Sequence, residues 1–255
     1  MRKFLLPLAA VMAVPLSAQA APPQPSATPV HARLTLCRPG PSVPSQFPDL
    51  RPGRTAQCPY AANDLAQRIA NLLQRGLGEG FNVVSVYSAF GLPAMTTSYD
   101  SPRIAAYAMT ATGGDGWKIH LTVNEAAYPL DDTLPAAFVP GENPTRLAPL
   151  EAFDVDASIA IFPKEGAAGP DGCITAAWLG AFATAAGWKD QTAMSAMFVT
   201  DAGPGYPRYA GPAGRLLTFL LNRQEGQVPS KHDMETSCVT SVRISIPPKD
   251  KPAGQ

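Results

Sequence analysis

The twenty-eight prolines of this chain constrain its fold more than any other feature, because proline offers a sheet no backbone N–H and breaks a helix interior. They run at about twice average usage and concentrate at the ends and between candidate elements. The chain is therefore expected to alternate structured stretches with long, stiff connections.

The N-terminal end carries a second pattern. Residues 1–20, MRKFLLPLAAVMAVPLSAQA, read as a secretory signal peptide: Arg2 and Lys3 give a positive start, Phe4 to Val14 an apolar stretch, and Ala18-Gln19-Ala20 a small-residue cleavage site. The apolar stretch is shorter than the about 20 residues needed to span a bilayer, and Pro7 and Pro15 interrupt it, so cleavage is expected rather than anchoring. The residue after the cut is Ala21, which gives a lipid no thiol. These features predict a soluble periplasmic or secreted protein with no membrane insertion after cleavage. Its expected organisation is a flexible proline-rich spacer at 21–29, a single globular domain at 30–246 and a flexible tail at 247–255.

Twenty basic and twenty acidic side chains give a formal charge of zero, which argues against nucleic-acid or polybasic membrane-surface binding. Apolar residues are 45% of the chain and charged residues 16%, enough apolar material for a sizeable core. Four cysteines in an exported chain are expected to form two disulfides, with three pairings open. Local economy favours Cys37 with Cys58 and Cys173 with Cys238. Closing the proline-rich loop between Cys37 and Cys58 removes unfolded-state entropy worth about 3 kcal/mol.

Alternation in Val30 to Cys37 predicts a strand, and Leu65, Ile69, Leu72 and Leu73 on one face predict a helix over 61–75. The β-branched run from Phe81 to Tyr87 predicts another strand. Ile104 to Thr110 and Trp117 to Val123 flank Gly113-Gly114-Asp115-Gly116, a strong hairpin signal. An irregular segment follows from Ala126 to Leu150, broken by five prolines. After it the pattern predicts a strand at Ala157 to Phe162 and a helix over 173–186 capped by Asp171. That helix carries no charge and is too short to cross a membrane, so it is expected to be buried. A strand at Met194 to Thr200, an amphipathic helix at Gly214 to Arg223 and a strand at Val239 to Ile246 complete the reading. The fold class expected is α+β, or mixed α/β: a mixed sheet with an antiparallel hairpin, covered by about three helices and disulfide-stabilised. The last part would suit right-handed crossovers between parallel strands.

Chemistry is sparsely signalled. H-E-x-x-H, C-x-x-C, G-x-S-x-G, P-loop and G-x-G-x-x-G patterns are all absent, and no histidine pair has metal-ligand spacing. No cofactor and no metal are therefore expected. Three constellations remain. Cys173, at a predicted helix N-terminus, has the setting of a thiolate nucleophile with His120 as base, but an even cysteine count makes a disulfide its expected role. Asp154 and Asp156 lie two apart on one side of an extended segment, as a paired-carboxylate site or an ordinary wet strand face requires. GPGYPRYAGPAG, at 203–214, presents Tyr206, Arg208 and Tyr209, residue types enriched at recognition sites, or else tyrosines that cover the neighbouring core. The expectation is a non-catalytic binding or envelope-accessory module, with a protein partner in the cell envelope and an oligomeric state left open. The alternative is a small exported hydrolase that assembles His120, Asp154 and Asp156.

Overall fold

The hairpin expected around Gly113 to Gly116 forms the spine of the fold. The computed structural model describes residues 36–47, 49–93, 96–131, 133–162, 173–192, 206–222 and 230–249. The leader and spacer, Asp171, the expected strand at Met194 to Thr200 and nearly all of the strand expected at Val30 to Cys37 lie outside them. In chain order the elements are β1 (Arg38–Pro39), β2 (Arg54–Cys58), α1 (Ala62–Arg75), α2 (Val83–Phe90), β3 (Thr97–Asp100), β4 (Ile104–Gly113) and β5 (Lys118–Ala127). A short pair follows, β6 (Phe138–Val139) and β7 (Thr145–Arg146), then β8 (Phe153–Phe162), α3 (Ala176–Ala186), β9 (Lys189–Asp190) and β10 (Arg208–Ala210). The last are β11 (Leu216–Leu221), α4 (Lys231–Thr236) and β12 (Val239–Ile246).

Ten strands make one sheet in the order β1-β2-β4-β5-β8-β12-β11-β10-β9, with β3 also pairing β4. The β2–β4 pair is parallel and the other described pairs are antiparallel. The fold is α+β, with a mixed sheet that is large relative to its helices. Alternate residues of the central strands, among them Ile119, Leu121, Val155, Ile159, Leu217 and Phe219, are buried on the face that carries the helices. Each such side chain contributes about 1.5–3 kcal/mol by leaving water. The opposite face presents small and polar residues such as Thr110, Thr122, Ser158, Thr218 and Ser241, all only partly buried.

The antiparallel register defines two ends of this sheet. Ile104, Ala127, Phe153, Ile246 and Leu216 come together at one, which we call the open end. Gly113, Lys118, Phe162, Val239 and Leu221 mark the other. Both disulfides, Cys37–Cys58 and Cys173–Cys238, lie at this second, stapled end: Cys58 pairs with Gly113, and Cys238 immediately precedes β12. Cys173 is therefore a disulfide partner and not a free nucleophile.

Four expectations are corrected. Residues 83–90 are helical, because Asn82 accepts hydrogen bonds from the Val84 and Ser85 N–H groups and the Ser85 hydroxyl oxygen accepts in return from the Asn82 N–H. Val83, Val86, Tyr87 and Phe90 then share a buried stripe that outweighs the β-branched run. Residues 216–221 are a strand, because LLTFLL buries Leu217, Phe219 and Leu221 with period two while pairing on both sides. With no helix there, the last strands join as antiparallel neighbours and not through parallel crossovers. Finally, α3 starts at Ala176 with Thr175 as its cap, and is buried on one face only. Ala176, Leu179 and Ala183 face the core, whereas Trp178 is 37% exposed and packs at a tilt against Phe182.

Candidate functional site

At the open end, three connections and three strand ends meet around a groove of about 1240 Å³. The turn between β10 and β11 forms one lip. Gly211 donates its N–H to the Arg215 carbonyl, and Ala213 is held in the left-handed region at φ 55°, ψ 37°. For a residue with a Cβ this conformation costs about 1 kcal/mol or more, so the surroundings must hold the turn in shape. Arg215 does so: its guanidinium donates to the Gly76 carbonyl at 3.0 Å and the Gly78 carbonyl at 2.9 Å, fastening this lip to the α1–α2 connection.

That connection supplies the second wall through Glu79 and Phe81, and the approach to β8 supplies the third through Leu150 and Glu151. The half-buried Leu216, Ile246 and Pro247 make an apolar floor, backed from within the core by the buried Phe81, Phe153 and Val155. Glu79, Glu151, Asp154, Arg208, Arg215 and Lys249 form a charged rim. Among the described residues, the side chains of Glu79, Glu151, Arg208 and Lys249 make no ion pair and no hydrogen bond, and Arg215 directs Nη1 at two neutral carbonyls. The rim thus presents, in Glu79, Glu151, Arg208 and Lys249, charges of both signs with no side-chain partner among the described residues.

The structure places two of the sequence candidates here, Arg208 and Asp154, and the others elsewhere. Tyr209 points the other way from Arg208 on β10: it is 2% exposed and packs its ring on Phe219 at 5.4 Å. Burial pushes its hydroxyl up to about 12, with a smaller push from Asp190. A core position removes Tyr209 from any recognition surface. Tyr206 is half-buried and does not line the groove.

His120, Asp154 and Asp156 do share the outer face of the sheet, as their alternation predicts, but they are spread along it. His120 pairs with Ala160 and Asn124 with Asp156 on the neighbouring strand, which separates His120 from Asp156 by about 13 Å along the strand direction. Asp154 lies further still, so the dispersed hydrolase site is not assembled from these three. His120 Nδ1 instead lies 3.1 Å from the Thr110 hydroxyl, and its pKa is lowered by burial first and by the nearby Lys118 charge second. Asp156 accepts a forked pair of hydrogen bonds from Arg243, which holds the guanidinium pKa above its ordinary value. Among the described residues no group of three or more His, Cys, Asp or Glu side chains could hold a metal ion.

Beneath β3, β4 and β5 the same end of the sheet is built differently. Glu125 is fully buried, yet it accepts from the Val83 N–H at 2.9 Å, at the α2 N-terminus, and from Arg146 Nε at 2.9 Å. Arg51 pairs with Asp100 and also donates to the Gly141 carbonyl at 3.0 Å, while Asp100 accepts from the Gly141 N–H. These bonds bolt the proline-rich stretch 128–150 over the sheet end. Sequence reasoning missed this network and most of the rim. Glu79, Glu151 and Lys249 carry no local signal, and only the Gly-Pro-rich turn before Arg215 marks a special position.

No protein-family model, curated protein or solved structure matches this chain, so its site is read from geometry alone.

Proposed function

We propose that this protein is an exported binding module, acting in a bacterial periplasm or outside the cell, and that its ligand occupies the open-end groove. One observation carries the reading: an apolar floor beside the charged side chains of Glu79, Glu151, Arg208 and Lys249, which have no ion-pair or hydrogen-bond partner among the described residues. Exposing unpaired charges beside apolar surface brings little to stability, whereas a ligand that desolvates both gains from each. The tie from Arg215 to the α1–α2 connection supports a preformed site, which lowers the ordering cost of binding. Two disulfides fit export, and no helix among the described residues is long and apolar enough to cross a membrane.

Site-specific photocrosslinking tests this. A benzophenone amino acid placed at Leu216 or Leu150, on the groove, should capture a ligand from envelope extract, and the same group at Val84 on α2 should not. Adding Arg208→Glu should sharply reduce capture at Leu216. Equal capture at Val84, or none at either groove position, would overturn the assignment.

A further inference from the structure

Resting on the groove as the binding site, we infer that its ligand is an extended polypeptide segment carrying both acidic and basic side chains around an apolar stretch. The size points this way first. About 1240 Å³ exceeds the roughly 300–1,000 Å³ typical of sites for small molecules. The open form suits a chain that enters and leaves more than a compact metabolite enclosed on all sides.

Charge selects among extended ligands. Arg208, Arg215 and Lys249 stand on the same rim as Glu79, Glu151 and Asp154, which makes the rim formally neutral, and the side chains of Glu79, Glu151, Arg208 and Lys249 have no partner of opposite sign among the described residues. A polyanion or an acidic lipid surface would satisfy the cations and set itself against Glu79 and Glu151. A polycation would do the reverse. A segment with both signs satisfies both sets, and like-charge contacts then reject partners whose signs fall in the wrong order. Between the rims, the half-buried Leu216, Ile246 and Pro247 offer a floor for apolar side chains, while the Ser245 hydroxyl adds a polar contact. Charge-flanked apolar segments of this kind belong to polypeptides: a sugar chain lacks the apolar stretch, and a zwitterionic lipid carries its two charges at one end of its apolar part only.

The experiment uses the mature, disulfide-intact protein and labelled synthetic peptides read by fluorescence anisotropy. Four peptides share one Leu/Val-containing core and are flanked by mixed charges, by Glu alone, by Lys alone or by Ser alone. The mixed peptide should bind at least about tenfold more tightly than either single-sign peptide. The Arg208→Glu/Lys249→Glu double variant should weaken the mixed peptide and strengthen the Lys-flanked one, and Glu79→Lys/Glu151→Lys should strengthen the Glu-flanked one. All three proteins should share one urea midpoint, which separates selectivity from misfolding. A Ser-flanked or single-sign peptide binding as well as the mixed one, or an unchanged ranking in the variants, would overturn the inference. Capture at Leu216 would in that case still uphold the groove as a binding site, whereas failure of both experiments would remove the groove itself. Concentration-dependent self-association that Leu216→Arg abolishes would assign the groove to a second copy and likewise overturn the peptide.

Discussion

Two stretches of one sheet end handle charge in opposite ways. Under β3 to β5, Glu125, Arg146, Asp100 and Arg51 are matched one to one and roofed by a proline-rich connection, so each charge is consumed in holding the fold. Under β8 to β11, a few residues away across the same sheet, the side chains of Glu79, Glu151, Arg208 and Lys249 stand around an apolar floor with no partner among the described residues. The difference shows that the chain can satisfy charges at this end where it needs them for stability. Those left unsatisfied are therefore the better markers of a surface reserved for something else.

The largest expected effect tests the matched side. Glu125→Ala strands Arg146 and the first N–H of α2, and should cost about 3 kcal/mol in urea denaturation, against about 0.5 kcal/mol or less for Glu151→Ala on the rim. Similar losses at both positions would collapse the distinction. A middle-sized effect concerns the lip between the two groove walls. Arg215→Ala removes two hydrogen bonds to carbonyls and should cost about 1–2 kcal/mol, with faster amide hydrogen exchange confined to residues 76–80 and 211–216. Exchange rising evenly over the sheet would show that Arg215 supports the core and not the groove. The smallest effect lies away from both stretches. Because the pKa of His120 is lowered by burial and by Lys118, the unfolded chain binds a proton more readily than the folded one. Stability from this residue is complete above its ordinary value near 6.5 and is lost as pH falls through the lowered folded value. Between about pH 7.5 and about pH 5, wild type should lose slightly more stability than His120→Gln, with the imidazole titrating below 6.5 by NMR.

What could be read in advance follows the range of the interactions involved. The hairpin, α1, β12 and the Cys37–Cys58 pair rest on local signals, among them a glycine run, a 3.6-residue stripe and a loop with little apolar content, and Cys173–Cys238 follows as the remaining pair. The helix at 83–90 was legible in Asn82 and Ser85, but valine pairs at 83–84 speak more loudly for a strand when the cap is overlooked. LLTFLL satisfies helical and strand periods alike, and only its two sheet neighbours decide between them. The site is harder for the same reason. Arg208 and Asp154 were visible singly, yet Glu79, Glu151 and Lys249 come from the α1–α2 connection, the approach to β8 and the stretch after β12. Their meeting depends on β8, β12 and β11 lying side by side, which no window of sequence contains.

The position of the disulfides carries a consequence of its own. A slip of one residue between β12 and β8 would turn Val242 and Ile244 outward and bring Ser241 and Arg243 into the core. Cys238 is tied to Cys173 just ahead of α3, so β12 is indexed against the helix layer from its first residue. The alignment of Ser245, Leu216 and Asp154 is then read out about 25 Å away, at the far end of the strand. The bond acts as the zero mark of a ruler whose other end is the groove, and reduction would blur the site from a distance without touching any residue that lines it.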